Sequence, residues 1–159
     1  MITSLATLIS LATAQQLVTD EQKCRVLSLS GGGSKGAYEV GAIHSIVNSL
    51  EAPHNHYDVV SGVSVGAINA AGVALFDKDH EKDMADYLVG LWSNLTSDQV
   101  WQWWPSWCPV DGLTHESGFL DNSPLFHLLS TLFEGKEVHK RVFVSANDAN
   151  SGSYIPMQL

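Results

Sequence analysis

From residue 24 onward the apolar positions switch repeatedly between a period of two and a period near 3.6. Cys24 to Ser30 carries Val26, Leu27 and Leu29 and reads as a buried strand, broken at once by Gly31, Gly32 and Gly33. From Ser34 the residues Ala37, Val40, Gly41, His44 and Val47, with Leu50 on the flank, recur at three- and four-residue steps. They predict a helix ending near Glu51-Ala52-Pro53. Asp58 to Val63 is a second strand and Val65 to Phe76, rich in Ala, Ile, Val and Leu, a largely buried helix. A third helix spans His80 to Trp92, with Met84, Tyr87, Leu88 and Leu91 on one face. A tryptophan-rich irregular stretch follows. Ser123 as N-cap with Pro124 at the first helical position opens a fourth helix, which carries Leu125, Leu128, Leu129 and Leu132 and closes at Gly135. Arg141 to Ala146 is a strand, and Ser153 to Leu159 is either its hairpin partner or a strand cut short.

Strands alternating with helices predict an α/β fold, a three-layer α/β/α arrangement on a mostly parallel central sheet. At 159 residues, 45% hydrophobic and 16% charged, the chain is sized and composed for one globular domain. The formal charge of −9, with 8 Lys and Arg spread along the sequence, argues against nucleic acid as a partner and against electrostatic attachment to anionic lipid.

Two motifs carry the chemistry. Gly62-Val63-Ser64-Val65-Gly66 lies between a strand and a helix, where glycines lacking Cβ let the chain turn sharply and hold Ser64 on an elbow with its hydroxyl exposed. The helix that follows aims its N-terminus at the same place, which favours an alkoxide or an oxyanion. Ser64 is therefore the candidate nucleophile. Gly31, Gly32 and Gly33, at the end of the neighbouring strand, are candidate oxyanion donors, with Lys35 and Gly36 completing the loop. As a dinucleotide fingerprint this loop lacks a well-placed acidic residue about 20 positions on, and as a phosphate-cradling loop it lacks Gly-Lys-Ser/Thr.

The two motifs, in this order and at this spacing, resemble the patatin-like phospholipases. The likeness extends through Gly36-Ala37-Tyr38 and Gly66-Ala67-Ile68-Asn69-Ala70, and more loosely through Phe119-Leu120-Asp121-Asn122 and the strand from Val142 to Asp148. It implies a lipid acyl hydrolase with a patatin-like fold, a Ser-Asp dyad without histidine, Ser64 as nucleophile, the Gly31 to Gly33 loop as oxyanion hole, and no cofactor. The Asp-Gly-Gly or Asp-Gly-Ala tripeptide that carries the family's aspartate does not occur here. Residues 22–159 accordingly read as the N-terminal part of such a domain, with the acid outside the chain.

Among the acids present, Asp111 precedes a glycine in the irregular region, Asp148 ends a strand, and Asp58 and Asp121 look like a strand-entry cap and a helix-start residue. A Ser-His-Asp esterase using His115 or His139 is the alternative hydrolase, and a lipid-binding relative without turnover the alternative outside catalysis. The seven histidines form no metal-binding pattern. Trp101, Trp103, Trp104 and Trp107 either anchor the protein at a lipid surface or cover its core. Residues 1–14, uncharged, apolar from Leu5 to Leu11 and ending in Ala12-Thr13-Ala14, read as a secretory signal peptide. Export would place Cys24 and Cys108 where a disulfide can form, and would give meaning to the sequon at Asn94.

Overall fold

The computed structural model describes residues 23–104 and 118–159, with Gly112 and Thr114 between them. The expected leader, Asp111, His115, Trp107 and Cys108 lie outside the described residues. Strand β1 (Val26–Leu29) runs into a single 3-10 turn, Gly33–Lys35, before helix α1 (Gly36–Ser49). Strand β2 (Val59–Val63) leads into α2 (Val65–Ala74), and α3 (Glu81–Asn94) follows a 3-10 turn at Lys78–His80. Helix α4 (Ser123–Phe133), strand β3 (Arg141–Asn147) and strand β4 (Tyr154–Gln158) complete the described elements.

The four strands form one sheet in the order β1-β2-β3-β4, parallel through β3 and antiparallel between β3 and β4. The closing segment is thus the hairpin partner of β3. The period of two sorts the residues by face. Leu27, Val60 and Val142 lie side by side on one face, and Leu29, Gly62 and Val144 form the next row. Helices α1, α2 and α3 gather on this face, where Val40, Ile43, Val60, Val73, Met84, Leu88 and Val142 form a continuous core at 2% exposure or less. Burying such side chains contributes on the order of 2 kcal/mol apiece. The expected mostly parallel α/β architecture is therefore present, as a sheet and one helical layer. Among the described residues no helix covers the opposite face, and there Val26, Val63 and Phe143 are 58%, 45% and 38% exposed.

Helix α2 is apolar all round because it is wedged between sheet and helices. A Cβ on Gly72 would stand 2.7 Å from Leu88 Cδ2, so the glycine sets how closely α3 packs on α2. One helix start differs from expectation: Asn122 is the N-cap of α4 and Ser123 already belongs to the helix. The Asp121 carboxylate does the capping, its Oδ1 accepting the Ser123 N–H at 2.8 Å.

Candidate active site

Ser64 sits between β2 and α2 with φ 56° and ψ −125°, and is the one non-glycine residue with positive φ among the described residues. A side chain held there costs about 1–3 kcal/mol of backbone strain, which the surroundings must impose. They do so by leaving no room for an alternative. A Cβ at Gly62 would overlap the carbonyl of Gly66, and one at Gly66 would lie 2.6 Å from the carbonyl oxygens of both Leu29 and Ser30. The strand end, the elbow and the end of β1 are thus in direct backbone contact, possible only without side chains.

The hydroxyl is left available. Ser64 is exposed and makes no side-chain cap bond to its helix, while its backbone oxygen accepts the N–H of Ala67 at 2.9 Å. Parallel pairing of Leu29 with Gly62 brings the glycine loop alongside the elbow. A Cβ on Gly31 would be 3.2 Å from Ser64 Cβ and 4.0 Å from its Oγ, so the Gly31 backbone directly faces the serine. Gly33, at φ 57°, turns the chain into the 3-10 turn. The amides of Gly31, Gly32 and Gly33 donate to no other described residue. Lys35 is exposed on the same turn, and Gly36 is buried against Trp92 and Val65.

A polar cluster that the motifs did not reveal lies directly behind the loop. Ser30 N–H donates to Glu39 Oε1 at 2.8 Å; Asn69 Nδ2 donates to Glu39 Oε2 at 3.0 Å and to the Gly36 carbonyl at 3.1 Å; Trp92 Nε1 donates to Asn69 Oδ1 at 2.9 Å. Asn69 is fully buried. The available signal was a lone amide inside an otherwise apolar helix, five residues after Ser64.

Beside the loop opens an apolar groove of about 480 Å³. Its lining includes Gly33, Ser34 and Val65 from the loop and elbow, Trp92 of α3, and Leu125 and Leu129 of α4.

Of the carboxylates considered from sequence, the three among the described residues are occupied elsewhere. Asp58 caps the entry to β2, with Oδ2 accepting Arg25 N–H at 2.8 Å and Oδ1 paired with Lys78; the Arg25 amide, then Lys78, hold its pKa below the usual carboxylate value. Asp148 closes the β3–β4 turn, accepting Ser151 Oγ at 2.6 Å and Asn150 N–H at 3.0 Å, and these bonds likewise lower its pKa. Asp121 is held low by the Gln102 side chain and then by Ser123. His139 pairs with Asp77 at 3.1 Å. It lies six positions before Ser145, the partner of Val63, hence roughly 20 Å along the strand from the elbow. No group of three potential metal ligands occurs among the described residues. Trp101 and Trp103 are 39% and 47% exposed and meet edge to face at 6.2 Å, whereas Trp104 Nε1 donates to the Gly118 carbonyl at 2.9 Å. Cys24 is exposed.

Residues 27–145 match the family model of the patatin-like phospholipases, which is most of the chain and includes both loops. The protein belongs to this family. Within the patatin-like group it is similar to a cUMP-AMP-activated phospholipase of Escherichia coli, with 49% identity over 53 residues, 33% of this chain and 17% of that relative. It is also similar to a cGAMP-activated phospholipase of Escherichia coli strain TW11681, with 35% identity over 63 residues, 35% of this chain and 18% of that relative. The aligned segments thus span less than a fifth of either relative's length. No solved structure gives a significant match.

Proposed function

We propose that this protein is a serine acyl hydrolase of lipid esters, of the phospholipase A or lysophospholipase type, with Ser64 as nucleophile and the Gly31, Gly32 and Gly33 amides as oxyanion donors. The observation that carries this reading is the strained Ser64, whose exposed, uncommitted hydroxyl stands at a helix N-terminus opposite the Gly31 backbone. Attack of Ser64 Oγ on an ester carbonyl forms the new C–O bond and moves the carbonyl π pair onto oxygen. Backbone donors fixed at that spot stabilise the charge without reorganising, and each is worth on the order of 100-fold in rate. The base that takes the Ser64 proton returns it to the leaving alkoxide as collapse expels the alcohol. Water, giving a proton to the same base, then attacks the acyl-serine through a second tetrahedral intermediate held by the same donors, releasing the acid and restoring Ser64.

The base in this reading is an aspartate of a Ser-Asp dyad supplied from outside the described residues, since no described carboxylate or imidazole bonds to Ser64. No cofactor enters the scheme. The groove receives the acyl chain, its leucine walls and Trp92 replacing water around the methylenes. Trp101, Trp103, Trp104 and Trp107 contact the lipid surface, and the apolar leader directs export. No helix among the described residues is long and apolar enough to cross a membrane.

Incubation with an alkyl fluorophosphonate followed by peptide mass spectrometry tests the central assignment. An adduct on Ser64 is expected, and none anywhere in Ser64→Ala. Labelling at another serine, or equal labelling of the variant, would remove Ser64 as the nucleophile; a folded protein that binds the probe without any adduct would leave a lipid-binding relative.

A further inference from the structure

The Ser30–Glu39–Asn69–Trp92 chain of bonds connects two parts of the site that chemistry must coordinate. One is the glycine loop, which has to hold its amides at a fixed distance from Ser64. The other is the groove. Glu39 takes the amide of Ser30, the residue just before the three glycines, and Asn69 takes the carbonyl of Gly36, the residue just after the turn. The loop is therefore clamped at both ends, and both clamps meet at one buried amide on the helix that follows Ser64. That amide can donate twice from nitrogen only if its oxygen faces the other way, and the Trp92 indole N–H fixes this orientation. Trp92 at the same time lines the groove, with its ring packed so closely on Gly36 that a Cβ there would stand 2.9 Å from Cη2.

Resting on the acyl-groove reading above, we infer that Asn69, Glu39 and Trp92 are positioning residues through which an alkyl chain in the groove orders the oxyanion loop. An occupant touches Gly33 and Ser34 directly and presses on the Trp92 ring, limiting the motion of the donor that fixes Asn69. An empty groove leaves that ring free to shift, and the clamp with it. The device favours esters whose acyl chain reaches Trp92 over short ones, because only these assemble the amides they need.

Residue-resolved amide hydrogen exchange on the 159-residue chain, with and without decanol as the groove probe, tests this independently of any turnover. Decanol is expected to slow exchange at the Ser30 amide, which donates to Glu39, by roughly tenfold in the parent chain. In Trp92→Phe, which keeps a ring in the groove but has no N–H, the same amide should exchange roughly tenfold faster without the probe and respond little to it. Glu39→Gln, of equal size, presents one acceptor where two donors converge and should loosen Ser30 while core amides of Val60 and Val142 stay protected. Unchanged Ser30 exchange in both variants, or equal protection by decanol in parent and Trp92→Phe, would overturn the inference. Ser64→Ala should retain the full decanol response while losing fluorophosphonate labelling. A response without labelling in the parent would therefore reject the nucleophile assignment and leave the coupling standing.

Discussion

At the scale of single residues, the site is defined by where side chains are missing and by one that is present against backbone preference. Ser64 occupies φ 56°, which glycine adopts freely and serine does not. Ser64→Gly should therefore stabilise the fold by about 1–3 kcal/mol in urea titrations while abolishing covalent labelling, the two effects having opposite signs because the strained residue is also the proposed nucleophile. A Ser64→Gly protein no more stable than the parent would show that the elbow is unstrained. The glycines and Ser64 were legible in the sequence because their chemistry is local: a Cβ either fits or does not. Asn69, Glu39 and Trp92 were not, since their significance lies in hydrogen bonds between residues 9 to 33 positions apart. Asp148 illustrates the converse, a strand-end carboxylate on the site side whose oxygens are committed to its own turn.

Among elements, the periodicities placed every described strand and α-helix, and the deviations lie at the ends. Gly33–Lys35 forms a tighter 3-10 turn ahead of α1 because Gly33 has positive φ and the loop must stay beside Ser64. The start of α4 shifted because a carboxylate two residues upstream outcompeted the Ser123 hydroxyl as cap. Asp58 performs the analogous task for the sheet, tying the start of β2 to Arg25. Its pKa is depressed on folding, so its contribution is complete above the ordinary value of 3.8 and is lost as pH falls through the lower folded value. Asp58→Asn should thus be less stable than the parent at pH 7, by about 1 kcal/mol or less given partial exposure. The gap should close below pH 4, as followed by thermal unfolding across pH. A gap that widens on acidification would contradict this role.

Across the whole molecule, the basic and acidic groups matter less than the distribution of apolar surface. Trp101 lines the groove together with the leucines of α4, and Trp103, exposed, packs edge to face against it. Replacing Trp103 and Trp104 by serine should lower binding to neutral phosphatidylcholine vesicles several-fold in co-sedimentation, with little dependence on salt, because indole insertion and not charge attraction drives it. Binding that vanishes at high salt would point to the cationic residues instead. The family and the central sheet could be recognised from two short motifs and the strand–helix alternation; how Trp101, Trp103 and Trp104 divide between cover and exposure could not, since indoles suit both and the Trp104 N–H finds the Gly118 carbonyl only in the folded chain.

Strand β4 is exposed along all five of its residues, Ile155 and Met157 at 43% each, and only β3 pairs with it among the described residues. Its outer rim offers carbonyls to an extended polypeptide, but Pro156 in the middle of the strand has no N–H, so a row of amides is interrupted there. Kept in solution at rising concentration, the 159-residue chain should self-associate later than its Pro156→Thr variant, as followed by light scattering; equal onset would show that the rim needs no guard. The proline makes β4 a poor template for one more strand.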